Sequence, residues 1–462
     1  MPNPSPKSIA IVGGGLTGLA AAWSLHRKGH HVTLLEKAPR VGGAVVTTRR
    51  DGWMIEGGPN ALQLQPEVAR IVDEVGVASR KQLATDNAKK RFVVRNAQLV
   101  PVPLSPPGLL TSPLFSLRGR LRVFLELLHR PRIRTTDVSL GSFVAAHFGQ
   151  EIVDYALNPF VSGVYAGDPD KLSTRYSFPT LWQLERQYGS LLRGMKTEAA
   201  ERKARGQAAG IVPLVSFDGG LQTLPDAIAA QLPAGSVLTS AEVTNVIPGK
   251  PWKLIWNRDG TAQTGEFDAV VLATSASGLA SLVFGTLGER PLASLENLPH
   301  PPVSSLFLGF KREQVRHPLD GFGALVPAKE RRQCLGILFS STLFPGRAPD
   351  GHVALTVFAG GMRQPETARL ATDALLARVM PDLRDLLGVT GDPVFQNHTF
   401  WPRAIPQYNL GHERFLEPIT RCEQQYNGLF IGGNARDGIS MPDCVKSGQR
   451  MAAAASEYVE KS

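Results

Sequence analysis

Four apolar residues in a row, Ile9-Ala10-Ile11-Val12, run directly into Gly13-Gly14-Gly15-Leu16-Thr17-Gly18, and a second run, Val32-Thr33-Leu34-Leu35, ends on Glu36. Unbroken apolar runs bounded by glycine are the pattern of strands buried on both faces, so the order predicts strand, glycine turn, helix and strand. The pattern returns at Asp268-Ala269-Val270-Val271-Leu272-Ala273-Thr274, and at Gly428-Leu429-Phe430-Ile431 before Gly432-Gly433-Asn434. A closing helix is expected to begin near Asp443, just after Pro442, because proline suits the first turn of a helix. Residues 304–309 and 352–360 read as strands in a stretch of strands and turns. From Leu117 onward, Leu121, Phe124, Leu125 and Leu128 fall at i, i+3, i+4 and i+7, one face of a helix. Prolines at 101, 103, 106, 107 and 113 break the chain before it. The charged stretch from Lys196 to Arg205, flanked by glycines, predicts a surface loop.

The glycines carry chemistry. Gly13 permits a tight turn, Gly15 lets the backbone approach a pyrophosphate, and Gly18 lets the helix pack on the sheet. Free N–H groups at the helix start, with Gly14, Leu16 and Thr17 around them, suit an anion. Glu36 lies near the spacing of about 20 residues at which a carboxylate takes ribose hydroxyls. Arg40, Gly42 and Gly43 follow, then Gly52-Trp53-Met54-Ile55-Glu56-Gly57-Gly58-Pro59-Asn60, and this order favours FAD over NAD. The far end of the chain supplies the other half of such a site. There Arg436-Asp437-Gly438-Ile439-Ser440-Met441 leads into the helix whose positive end would stabilise charge on a reduced flavin.

At 462 residues the chain exceeds the size at which one core stops growing, so two domains are expected. The fold class predicted is α/β plus α+β. Discontinuous segments build a Rossmann-type FAD-binding domain (1–95, 211–285 and 411–462). A helical, membrane-associating region (96–210) and a mixed-sheet substrate domain (286–410) are inserted between them. The three cysteines, Cys334, Cys422 and Cys444, are scattered and form no C-x-x-C pair, and the ten histidines show no ligand spacing, so no metal is predicted. The N-terminal segment is too short and polar for a signal peptide, and no apolar run reaches about 18 residues. A cytoplasmic protein is therefore expected. The excess of 50 basic over 40 acidic residues is spread along the chain without a nucleic-acid module, which favours an acidic substrate or an anionic membrane over nucleic acid. Arg118, Arg120, Arg122, Arg130, Arg132 and Arg134 stud and follow the helix from Leu117. That pattern fits either a core helix with a solvated rim or an amphipathic helix lying on the inner face of the cell membrane.

More specific motifs occur in order: Gly163-Val164-Tyr165-Ala166-Gly167-Asp168-Pro169, Gly321-Phe322-Gly323-Ala324-Leu325-Val326-Pro327, Phe344-Pro345-Gly346-Arg347-Ala348-Pro349, Phe358-Ala359-Gly360-Gly361, and Trp401 with Ile405-Pro406-Gln407-Tyr408. With them the chain resembles, nearly end to end, the protoporphyrinogen oxidase family, and more widely the amine oxidase and phytoene desaturase flavoproteins. The resemblance implies oxidation of a porphyrinogen through FAD with molecular oxygen as acceptor, and coproporphyrinogen is the alternative substrate. It implies that Arg91 pairs with a substrate propionate, that Leu325 and Leu338 sandwich the tetrapyrrole, that Phe358 stacks on a ring and that Gly163 lines the pocket. For FAD it implies Gly13 to Gly18, Glu36, residues 58–61, Val243, Asn434, Ile439, Ser440 and Met441. No side chain is nominated as catalytic acid, base or nucleophile. Oligomeric state is not legible, and a homodimer stays open. A flavin amine oxidase is a weaker alternative, and the non-catalytic Rab-escort proteins share the architecture without a full flavin site.

Overall fold

The structure, a computed structural model, describes residues 6–103, 106–131, 133–205 and 212–462. Its centre is a five-stranded parallel sheet in the order Val237–Leu238, His31–Leu35, Ser8–Val12, Ala269–Leu272, Leu429–Ile431. The four longest of these strands are the apolar runs read from the sequence. Ile9 and Ile11 point to one face, against the helices Leu16–Arg27 and Met441–Lys461. Ala10 and Val12 point to the other, against Val243, Trp252, Leu254 and Phe284 of a four-stranded sheet. Burial on both faces is why these strands are continuously apolar rather than alternating.

The second half is a seven-stranded mixed sheet in the order Phe395–Trp401, Val303–Lys311, His352–Gly360, Gly336–Leu338, Gly323–Leu325, Phe92–Arg95, Gln98–Pro101. Leu306, Leu308, Val357 and Ile337 cover one face with the helix Thr372–Leu387, through Leu375, Val379 and Leu383. The other face looks toward the nucleotide half. Phe92–Arg95 thus pairs with Gly323–Leu325 in this sheet, whereas the sequence reading put it at the end of the first nucleotide-binding segment. The pairing is long-range, and its cationic pattern gives no hint of the partner.

A third cluster of helices packs Leu140, Phe143, Val144, Val161, Leu172, Leu184 and Leu191. The stretch expected as a loop at 196–205 belongs here as the helix Leu191–Ala204. Ser190 caps it, its hydroxyl accepting from Arg193 N at 3.1 Å. The Lys, Glu, Arg and Ala residues that read as a solvated loop are also good helix formers, and a capped start is enough to select the helix. The helix Leu117–Leu125 forms as the periodicity required, but its apolar residues face solvent: Leu117 is 80% exposed and Leu121 60%.

A buried ion pair joins the halves. Glu56, at the end of the strand Trp53–Glu56, meets Arg347 at 3.1 Å, and both are almost fully buried. Arg347 also donates to Ser216 Oγ at 2.6 Å, while Glu56 accepts from Thr47 Oγ1 at 2.6 Å and from Leu221 N at 3.0 Å. Burial pushes the Glu56 carboxyl above its ordinary range and the Arg347 guanidinium below its own, so each depends on the other to stay charged. Arg347→Met is expected to cost about 3–5 kcal/mol by stranding the carboxylate. Glu56→Gln/Arg347→Met is expected to recover a large part of that loss. Denaturant melts of the four proteins check it, and strictly additive losses would show that the two groups do not form a pair.

Candidate flavin and substrate site

The first glycine turn is shaped by contacts that exclude a side chain. Gly13 sits at φ +108°, and a Cβ there would lie 2.7 Å from Ala273 O. Gly14 N donates to Glu36 Oε2 at 2.5 Å and Ala38 N to Glu36 Oε1 at 2.8 Å, so the carboxylate is held at the end of its strand. Gly15 faces open space and caps the helix Leu16–Arg27 without a side-chain partner, leaving the first-turn N–H groups aimed outward. Leu16 and Thr17 of that turn are buried. Gly42 N donates to Gly14 O at 2.8 Å, and a Cβ on Gly43 would stand 3.2 Å from Gly15 Cα. Two glycine segments therefore flank one opening, as a diphosphate requires, and the residues present fit a dinucleotide. Arg40 holds the second segment through Val45 O at 2.9 Å and Gly43 O at 2.8 Å. Val243 lies near the Glu36 end, two residues beyond Ala241, whose N–H bonds Glu36 O at 2.8 Å.

At the far end of the opening, Gly58 admits no Cβ because Ala44 O occupies the place, and Asn60 Nδ2 donates to Gly58 O at 3.0 Å. Pro59 and Ala61 are partly exposed beside them. The closing segment arrives opposite. Tyr408 OH donates to Asn434 O at 2.7 Å and accepts from Gly438 N at 2.9 Å, stapling the turn between them. Ser440 caps the helix Met441–Lys461, accepting from Asp443 N at 3.2 Å and donating to Asp443 Oδ2 at 2.6 Å. Arg436 pairs with Glu423 at 2.7 Å and with Ile431 O at 3.0 Å. The polar character of Arg436 and Ser440 is thus internal to the segment. Ile439, half-buried, is left beside the positive end of a 21-residue helix.

The face of the seven-stranded sheet turned away from the helix Thr372–Leu387 supplies the third wall. Leu325 lies opposite Gly336, and Gly336 opposite Phe358, so the three share one face in one row. Leu338, two residues past Gly336, stands on the same face. Gly163, on the helix Asn158–Tyr165, packs so tightly on Leu325 that a Cβ would overlap its Cδ2. The row continues through Ser305 to Thr399, and neighbouring Trp401 donates from Nε1 to Gly57 O at 2.7 Å, beside the residues at the flavin end of the opening. Arg91 is exposed at the rim, its guanidinium 5.4 Å from the centre of the Phe322 ring. Sequence reasoning missed Gly336, Phe322 and the stapling role of Tyr408. Only the register reveals Gly336, as the gap between Leu325 and Phe358.

The sequence profile of the flavin containing amine oxidoreductases matches residues 16–456. The chain belongs to that family. Among similar proteins, protoporphyrinogen oxidase 2, chloroplastic/mitochondrial, of Arabidopsis thaliana is 34% identical, with 99% of this chain and 95% of the relative covered. The mitochondrial protoporphyrinogen oxidase of Nicotiana tabacum is 33% identical over 99% of this chain and 96% of its own. Coproporphyrinogen III oxidase of Bacillus subtilis (strain 168) is 28% identical over 98% of both chains. A solved structure from Exiguobacterium sp. 255-15, named provisionally as a protoporphyrinogen oxidase, superposes with a TM-score of 0.80 at 25% identity, covering 97% of this chain and 98% of that one. Membership makes this an oxidoreductase with a flavin cofactor.

Near the turn that Tyr408 staples, His412 stacks on Tyr408 with ring centres 4.2 Å apart, and neither of its ring nitrogens has a hydrogen-bond partner. Burial, with Arg414 nearby, lowers its pKa to about 4. A histidine kept neutral in the folded state contributes stability that is fully present above its ordinary value and is lost as pH falls toward the folded one. The wild type is therefore expected to lose about 1.4 kcal/mol per pH unit more than His412→Leu between about pH 6.5 and 4. Parallel acid-dependence curves for the two proteins would refute this.

Proposed function

We propose that this chain oxidises protoporphyrinogen IX to protoporphyrin IX in haem synthesis, using FAD and molecular oxygen. Six electrons leave in three two-electron steps, and hydrogen peroxide is formed. The observation that carries this reading is the row of Leu325, Gly336 and Phe358 with Leu338 beside it, an apolar floor under Gly163 with a cation at its rim. A tetrapyrrole is a large apolar disc with acidic arms, and its recognition needs area, stacking and one or two charge anchors. When bound, FAD supplies the acceptor for a hydride from the substrate carbon. The chain holds the dinucleotide through residues 13–18, Glu36, Gly42, Gly43, residues 58–61 and Val243. Asn434, Ile439, Ser440 and Met441 would hold the flavin end of the cofactor. Leu325, Leu338 and Phe358 fix the plane of the disc and keep water from it, and Arg91 anchors a propionate. No side chain is required as a base, because pyrrole nitrogens release the protons. The names of the relatives favour the substrate with two carboxylates over coproporphyrinogen with four, since the protoporphyrinogen oxidases of plants match at higher identity.

Anaerobic mixing with each porphyrinogen tests the reading. Protoporphyrinogen IX is expected to bleach the flavin faster than coproporphyrinogen III. Faster bleaching by the latter reverses the assignment, and no bleaching by either ends it. Arg91→Ala is expected to raise KM by about ten- to a hundredfold, with flavin content and melting temperature unchanged. An unchanged KM would make Arg91 a surface residue only.

Residues 117–128 are read as a peripheral contact with an anionic membrane. Leu117, Leu121, Leu125 and Leu128 are exposed, and no helix among the described residues is long and apolar enough to cross a bilayer. Arg118 and Arg122 lie on the same helix, whereas Arg120 folds back onto Phe115 O at 2.9 Å and Ser112 O at 2.6 Å. Arg132 lies outside the described residues. Each basic group near an anionic surface contributes roughly 1 kcal/mol. Flotation with anionic liposomes is expected for the wild type and lost in Leu121→Ser/Leu128→Ser. Equal behaviour of the two proteins would leave this face without a membrane role.

A further inference from the structure

Among the described residues one cluster lies outside the flavin and substrate site and has no part in it. Glu126 and His129 stand in and just after the short 3₁₀ turn Glu126–Leu128, and His147 stands on the helix Leu140–Phe148. The sequence reading found no metal ligands because these residues belong to separate elements. We propose that Glu126, His129 and His147 form a binding site for a divalent transition-metal ion of the zinc class.

One ligand atom from each residue lies within 4.8 Å of the other two. His147 Nδ1 is 2.9 Å from Glu126 Oε1 and 3.2 Å from His129 Nδ1. Around a tetrahedral zinc with bonds of about 2.0–2.1 Å, neighbouring ligand atoms stand roughly 3.3 Å apart, so two of the separations are already those of a metal site. Two imidazoles and one carboxylate are the donors that zinc prefers, with a fourth position open to water on the half-buried His129 side.

An outer shell is built as well. His147 Nε2 lies 3.2 Å from Glu185 Oε1, and Glu185 is fixed by two bonds from Arg134, at 2.6 and 2.8 Å. A carboxylate on the far nitrogen is what orients a ligating imidazole and raises its basicity. Glu126 is held equally firmly: Ser190 Oγ donates to Oε2 at 2.7 Å, Leu192 N to Oε2 at 3.2 Å and Leu191 N to Oε1 at 2.5 Å. Nearby cations are engaged elsewhere, Arg134 on Glu185 and Arg193 on His129 O and Tyr188 O at 2.6 and 2.9 Å. A bound ion would lock the exposed apolar segment 117–128 to the start of the helix Leu191–Ala204.

The test uses untagged full-length flavoprotein, stripped with a chelator and titrated with Co²⁺, then Zn²⁺. One equivalent of Co²⁺ is expected to give visible d–d bands that Zn²⁺ abolishes, and either ion raises the melting temperature. His129→Ala is expected to lose both signals while keeping the flavin content and metal-free melting temperature of the wild type. Glu185→Gln is expected to weaken binding about 10- to 100-fold. Absence of the bands in the wild type, or their survival in His129→Ala, overturns the proposal.

Discussion

Backbone passes backbone at several points with no room for a side chain, and the nucleotide half depends on those crossings. Gly18 rests on Gly13 O, Gly58 on Ala44 O, and Gly448 of the last helix on Thr17 O of the first. The last of these brings the two ends of a 462-residue chain into contact. It sets the helices Leu16–Arg27 and Met441–Lys461 side by side under one sheet. A methyl group at any of these places would separate the segments that have to face a ligand together.

The substrate wall is governed by register. Side chains alternate across a strand, so a one-residue slip in Gly323–Leu325 or Gly336–Leu338 would turn Leu325 and Leu338 into the core beneath Thr372–Leu387 and bring Ala324 and Ile337 out. The correct register is enforced by that core, where Ala324, Ile337 and Val357 are buried. The wall is tied to the nucleotide half by Trp401 on Gly57 O, by the ring of Trp53 filling the space over Gly309, and by Glu56 with Arg347. The position of the proposed substrate face is thus fixed by contacts that lie away from it.

Polar residues are harder to read from sequence than apolar ones, because a polar side chain can serve solvent, a ligand or the backbone. Ser440 and Arg436 cap and brace their own segment, and Arg40 is bound to carbonyls of the loop that contains it. Lys196 to Arg205 looked solvated and was read as a loop, yet solvated residues build a helix once its first turn is capped. Tyr408 stood out only as part of a motif, and its stapling role was not legible, since that role rests on Asn434 and Gly438 arriving from another part of the chain.

The sequence alone determined the buried parallel strands, the glycine turn, Glu36 and the helix that follows the last strand. Each is encoded by neighbours within a few residues, where apolar runs and backbone conformation need no distant partner. It also determined that residues from Leu117 form an amphipathic helix, because periodicity is a local property. The tertiary structure decided which way that helix faces, which sheet Phe92–Arg95 joins, and which of ten scattered histidines meets Glu126. Those outcomes depend on what packs against a segment from far along the chain, and no local pattern of residues carries that information.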